Sequence, residues 1–328
     1  TLDMTVPCHS FCKHLLISIF LCVAAGGVAA QPFSFVALGD LPYGQSAQGH
    51  APYKSLIAAI NRERPGFSIH IGDFKSGSTL CSDEESRIQL GFFGLFDSAL
   101  VYTPGDNEWT DCHRANNGGH DPLERLQALR ATFYKPGLSL GKQPLPVLNQ
   151  SALMPAFARY VENQRWTHQD VVFATLHIVG SNNNFEVRDP RAVAEFFERE
   201  KANVAWIREA FAAARQSQAK ALVLAMQADV FESKSLWEDF PAQSGFRATI
   251  GETLLPLVAE SKIPVLLIHG DSHVFRFDQP FVWSKKPLRQ LTRLEVPGAT
   301  DVRAVHVTVD TRQANPFAVR LIEPAAAP

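Results

Sequence analysis

Four apolar runs in this 328-residue sequence stop at Gly-Asp. Val36-Ala37-Leu38 precedes Gly39-Asp40, Ile69-His70-Ile71 precedes Gly72-Asp73, Val101-Tyr102-Thr103-Pro104 precedes Gly105-Asp106, and Leu267-Ile268-His269 precedes Gly270-Asp271. A single Gly-Asp is an ordinary turn or helix cap. Four of them gather carboxylates, which raise one another's pKa and destabilise a fold unless a counter-charge is present. Such a cluster calls for a bound cation, preferably a divalent one. Lys75 and Arg114 sit just beyond two of these motifs and are candidate phosphate contacts, because cation-assisted hydrogen bonds to phosphate are strong.

Something must bring the four aspartates together, and the patterning supplies it. Strand-length runs rich in Val, Ile, Leu and Phe are expected at Ser34 to Leu38, Phe67 to Ile71, Leu100 to Thr103, Val171 to Val179, Ala219 to Ala225 and Pro264 to Ile268. Between them, apolar residues recur every three or four positions at 51–64, 84–96, 122–134, 190–216 and 246–262, as helices require. Strand, helix, strand implies an α/β class with a largely parallel sheet, whose carboxyl edge is where ligands bind. The last runs, Val302 to Val309 and Ala318 to Ile322, have a short turn between them and read as an antiparallel pair. No low-complexity linker divides the chain, and the proline-rich stretch 137–155 reads as an insertion or long crossover.

Residues 1–30 read as a secretory leader. Lys13 and His14 precede the apolar stretch Leu15 to Ala25, and Val28-Ala29-Ala30 offers small residues for a cut after Ala30; Met4 suits an initiator. The alternative is an uncleaved N-terminal anchor. The expected product is exported, periplasmic or secreted, with no membrane span left after cleavage and one domain over 31–328. Of five cysteines, only Cys81 and Cys112 follow residue 30, each beside a proposed site loop. An oxidising compartment favours a disulfide between them over two unrelated thiols. With 31 basic against 33 acidic side chains, the chain has no basic footprint for nucleic acid or anionic lipid, which leaves a small partner.

The order Gly39-Asp40, Gly72-Asp73, Gly105-Asp106-Asn107-Glu108 and Gly270-Asp271-Ser272-His273 resembles the calcineurin-like metallophosphoesterases, which include the purple acid phosphatases, over roughly residues 33 to 280. That family's pattern is Asp-x-His, Gly-Asp-x-x-Asp, Gly-Asn-His-Glu/Asp, a lone His after a strand, and Gly-His-x-His. The resemblance implies an αββα sandwich of two mixed sheets flanked by helices, and metal-dependent hydrolysis of a small phosphorylated substrate. It implies that Asp40 binds a first metal, Asp73 bridges two, Asp106 stands for the asparagine of a second, Gln227 for the lone histidine, and Asp271 and His273 for the last two histidines. Pro42 stands where the first histidine is expected, and Asn107 where the family has the histidine that assists the leaving group; an amide cannot protonate an alkoxide, so His113 is the candidate substitute. Phe74 follows Asp73, and no tyrosine lies near the second motif as a purple di-iron site requires.

The donor set Asp40, Asp73, Asp106, Gln227, Asp271 and His273 is mostly oxygen, so one or two divalent ions such as Mn, Mg or Ca are favoured over Zn or Fe. Asp229 is an alternative ligand to Gln227. His70 and His269 read as hydrogen-bonded core histidines, Asn182 to Asn184 as a turn, and Trp109 as a pocket wall or a packing residue. The rival to an enzyme is a non-catalytic exported binding module that keeps the fold and a structural metal. Oligomeric state is not legible from these residues.

Overall fold

The computed structural model describes residues 1–4, 31–44, 46–231 and 244–325. The leader expected over residues 1–30, with its cut, falls outside them except for its first four residues. Among the described residues, no helix is long and apolar enough to cross a membrane.

Two mixed sheets carry the fold. The first contains β1 (Phe33–Leu38), β2 (Phe67–His70), β3 (Ala99–Tyr102), β4 (Leu140–Gly141), β14 (Ala304–Val309) and β15 (Phe317–Ile322), in the order β15-β14-β1-β2-β3-β4. The second contains β5 (Leu148–Asn149), β6 (Gln164–His168), β7 (Val171–Thr175), β8 (Ala221–Ala225), β9 (Val265–His269), β10 (Arg276–Asp278) and β13 (Leu291–Glu295), in the order β10-β13-β9-β8-β7-β6-β5. A small hairpin joins β11 (Val282–Trp283) to β12 (Lys286–Pro287). Pairs β1-β2, β2-β3, β7-β8, β8-β9 and β9-β13 are parallel, and β14-β15 is antiparallel as the sequence leads one to expect.

Side-chain alternation shows the sheets face to face. Phe35 and Ala37 of β1 pack with Phe173 of β7 and Val223 and Ala225 of β8 in one interior cluster. Their neighbours Val36 and Leu38 turn outward onto Tyr53, Leu56, Ile57 and Ile60 of the helix Ser46–Glu63. Leu222 and Leu224 likewise turn onto Trp206, Ile207 and Ala210 of the helix Pro190–Gln216. Both faces of each central strand are therefore dry, which is why these strands read as unbroken apolar runs. This is the αββα sandwich that the resemblance implied.

Local chemistry sets the helix starts. Ser82, Asp121 and Asp189 each accept a backbone N–H of the first turn, with Pro122 and Pro190 at the first helical position of the latter two. Three expectations shift. The run 171–179 ends as a strand at Thr175. The helix expected over 246–262 begins as wide π turns, Arg247–Leu254, before the α-helix Leu255–Glu260. The strand β13 was hidden by its charged residues: buried Arg293 pairs with Asp278 at 2.6 Å and buried Glu295 pairs with Arg276, so ion pairs between strands allow charges where alternation calls for apolar residues. The stretch 137–155 is a crossover, with β4 on the edge of one sheet and β5 on the edge of the other.

Cys81 and Cys112 form the expected disulfide. It ties the loop after β2 to the loop after β3 across 31 residues of sequence. Closing a loop of that length removes denatured-state entropy worth about 3–4 kcal/mol. The Cys81→Ser/Cys112→Ser protein should lose that much in urea denaturation; a loss below about 1 kcal/mol would show that the loops are held without it.

Candidate metal centre

Asp40, Asp73, Asp271 and His273 all have positive φ, of 51°, 53°, 74° and 62°. Asp and His tolerate this left-handed region better than most residues, and here it follows directly on the strand ends. Glycine lets the loops close in: a Cβ on Gly105 would lie 2.0 Å from Asp73 Oδ1, and one on Gly270 would lie 2.1 Å from Asp40 Oδ2. The four Gly-Asp motifs therefore share one rim, as the sequence anticipates.

Asp73 is at the centre. Its Oδ1 accepts the Asn107 N–H at 3.1 Å, and its Oδ2 accepts the Tyr43 hydroxyl at 3.1 Å, the Asn107 amide at 2.7 Å and the Gln227 amide at 3.2 Å. Both Asp40 oxygens accept the Asp271 N–H, at 3.3 and 3.2 Å. Asp106 Oδ2 accepts Ser181 Oγ at 2.7 Å. One oxygen from each of Asp73, Asp106 and Asp271 lies within 4.8 Å of the others. Burial first, and then neighbouring carboxylates, hold the Asp40 and Asp73 carboxyls well above the usual range; for Asp73 the neighbours are Asp106, Glu108, Asp40 and Asp271. Burial raises Glu108 as well; its Oε1 accepts Asp73 N at 2.8 Å, Gly105 N at 3.1 Å and Tyr102 OH at 3.0 Å, clamping the second and third loops.

Two donor groupings result. On one side, His273 Nε2 lies 3.6 Å from Asp40 Oδ1 and 3.3 Å from Tyr43 OH, which itself reaches Asp73. Burial holds the His273 ring below its usual pKa, so it is a neutral nitrogen donor. Asp40 and His273 offer one oxygen and one nitrogen donor on this side, whereas the group of three whose ligand atoms gather within 4.8 Å among the described residues is Asp73, Asp106 and Asp271. On the other side stand Asp73, Asp106 and Asp271, with Gln227 between them. Gln227 reaches its expected place but presents the wrong end for a ligand: its Oε1 accepts the Gly180 N–H at 2.6 Å, which turns the NH2 group toward the carboxylates.

The remaining candidates are spread wider. Lys75 is buried behind the carboxylates, donates to Ser76 O at 3.0 Å, and is pushed below its usual pKa by burial despite the nearby charges of Glu108 and Asp73. Arg114 is half exposed and pairs with Asp111 at 2.6 Å. Burial and Asp106 push the Asp111 carboxyl up to about 6, against the pull of Arg114. His113 is exposed, with Nδ1 2.7 Å from Thr110 O. Arg114 and His113 line a cavity of about 510 Å³ together with Asp111, Ser181, Asn184 and Arg188, rather than the carboxylate ring itself. Asp229 is turned away: its oxygens accept Phe231 N and Ser272 OH, and its own N–H serves Asp271 Oδ2.

Sequence reasoning missed Tyr43 and Ser181. No tyrosine was expected near Asp73, yet one arrives from the first motif's loop, three residues after Asp40. Ser181 donates to both Asp106 and Asp111 from the loop after β7. Their positions beyond strand ends were the available signal. Under Ser181 lies a buried network: Arg199 donates to His177 O and Asn183 O, each at 2.9 Å, and pairs with Glu195, while Glu162 holds Arg130 and His177. Asn182 to Asn184 form the turn this network grips.

His70 is the core histidine expected, with Nδ1 accepting Gly72 N at 3.2 Å and Nε2 3.1 Å from Leu41 O. Burial pushes His70 and His177 down to about 4, from 6.5 when unfolded. The unfolded chain then binds more protons between those values, so stability falls as pH drops from about 6.5 toward 4, by up to roughly 3 kcal/mol per ring. Raised Asp40 and Asp73 act in the opposite sense, so the test is a comparison: the urea midpoint of His70→Gln, taken relative to the wild type, should rise as the pH goes from 7 to 4.5. Equal slopes would remove His70 from the account.

No protein-family model matches the chain, and no curated protein sequence matches it. Solved structures do. GAP50, the anchor in the inner membrane complex of Plasmodium, superposes with a TM-score of 0.53 at 12% identity over 90% of this chain and 86% of that one. A dimetal phosphatase from Danio rerio superposes with a TM-score of 0.53 at 10% identity over 89% of this chain and 99% of that one. The fold is metallophosphoesterase-like.

Proposed function

We propose that the protein is an exported, metal-dependent hydrolase of phosphoesters, a phosphatase or phosphodiesterase acting on a small phosphorylated substrate. The observation that carries this reading is the convergence of Asp40, Asp73 and His273 beside Asp106 and Asp271, from separate strand ends, on one rim of a phosphatase-like fold. Asp40, Asp73 and His273 would hold a divalent cation, with Mn, Mg or Ca suited to the oxygen-rich donors. When bound, such an ion acidifies a water and neutralises phosphoryl oxygens. Tyr43 and Asn107 hold the Asp73 carboxylate in place. Both hydrogens of the Asn107 amide go inward, to Asp73 and to Tyr43 at 2.9 Å, so Asn107 supplies no proton to a leaving group. Arg114, paired with Asp111 at the cavity wall, would contact the phosphoryl group, and the cavity would take the organic part. The disulfide supports export, since such bonds persist in oxidising compartments.

A second reading, a binding module that keeps the fold without turnover, is favoured by the inward-facing Gln227 amide and by the likeness to a protein described as an anchor. Turnover separates the two. Chromogenic mono- and diesters are offered to the metal-stripped protein, then with Mn, Mg, Ca or Zn added. Cation-dependent hydrolysis that favours good leaving groups is the expected result; none with any ion would count against general phosphoesterase activity and favour the binding module or a highly selective enzyme.

A further inference from the structure

A cation bridging Asp73, Asp106 and Asp271 would need two things: converging oxygens and a free centre. Only the convergence is present. The Gln227 nitrogen stands 3.2, 3.1 and 3.1 Å from Asp73 Oδ2, Asp106 Oδ1 and Asp271 Oδ1. Its direction is not arbitrary, because a backbone N–H can only donate, and the Gly180 N–H points at the other end of the amide from 2.6 Å. Reversal would set two donors against each other in a fully buried site. The backbone that carries the side chain is held as well: Gln227 N donates to Ile178 O at 3.1 Å, and the Gln227 backbone oxygen accepts Gly270 N at 3.0 Å.

We propose that the Gln227 carboxamide takes the place of one cation of a two-metal centre, so that the protein binds a single divalent ion, on the Asp40–His273 side. The clause on the single ion rests on the function proposed above; the clause on the amide does not. An amide NH2 offers two hydrogens and no charge, so it serves the three facing oxygens two at a time from the position a cation would take. The centre thus departs from a dimetal phosphatase in ion count as well as in ligand type.

Ion counting tests this on the full chain, stripped and reloaded with Mn. The wild type should hold one Mn per chain, Asp40→Asn should bind it at least tenfold more weakly, and Asp271→Asn should still hold one. Gln227→Glu keeps the shape and the Gly180 contact but replaces the NH2 with oxygen, and it should gain a second Mn, as should Gln227→His. Two Mn in the wild type, one Mn that depends on Asp271 and not on Asp40, or no gain in a folded Gln227 variant would each overturn the proposal. No Mn in the wild type but one in Gln227→Glu would overturn the proposed function and leave the role of the amide standing. Should both Gln227 variants fail to fold, the side-chain NH2 resonances of Gln227 decide: they should stay slow to exchange with solvent at saturating Mg, and their release by Mg would refute the idea.

Discussion

Asp73→Asn should lower cation-dependent phosphoester hydrolysis by about 1000-fold or more, equivalent to roughly 4 kcal/mol of transition-state stabilisation, without lowering the melting temperature. Asp73 is the carboxylate that both donor groupings share, and its two oxygens collect Asn107, Tyr43 and Gln227. An amide in its place removes an anionic ligand, while its oxygen can still accept Tyr43, Asn107 and Gln227 where Oδ2 does, so that only the Asn107 N–H is left facing the NH2. Stability should respond in the other direction. Burial and the charges of Asp106, Glu108, Asp40 and Asp271 all act against an ionised Asp73, and the neutral isostere relieves them. Lower activity with equal or higher stability is the expected signature of a residue retained for chemistry. Steady-state kinetics and thermal melts on one preparation check it; turnover within tenfold of the wild type would remove Asp73 from the mechanism.

Gly72→Ala should destabilise the protein by about 3 kcal/mol or more, at least about 1 kcal/mol beyond the cost of Gly44→Ala. Both glycines have positive φ, +96° and +98°, so both substitutions carry the same backbone strain, of about 1–2 kcal/mol. They differ in what the new methyl meets. At Gly44 nothing lies within 4 Å, whereas at Gly72 it would lie 2.2 Å from the Gly105 nitrogen, a backbone atom with no rotamer to escape into. The second and third loops are therefore pressed together where Glu108 also clamps them. Urea midpoints measured side by side read the difference, and equal costs would mean that the close approach contributes nothing.

Much of the centre was legible because strand ends in parallel sheets share an edge. Asp40, Asp73 and Asp106 come from three adjacent parallel strands, and Asp271 from the end of β9 in the facing sheet. Gln227 was placed correctly by its strand and wrongly by its chemistry. Its sequence position shows an amide beyond β8, and only the Gly180 N–H decides which end of that amide faces the carboxylates. Lys75 illustrates the same limit. Its place two residues beyond Asp73 reads as a phosphate contact, but the turn carries it to the buried side, near the Glu108 charge. The strands β6 and β13 escaped detection because polar side chains with partners on neighbouring elements interrupt their alternation.

The sequence by itself determined the α/β class, the rim on which the aspartates meet, the Cys81–Cys112 link and the oxygen-rich character of the donors. Each follows from short-range patterns: the period of apolar residues, the glycine that turns a strand end, and the type of side chain placed after it. The tertiary structure alone decided that Tyr43 and Ser181 join the centre and that the Gln227 nitrogen stands among three carboxylates. These depend on contacts between residues tens to more than a hundred positions apart, and no local period records which donor a distant backbone will turn toward a given side chain.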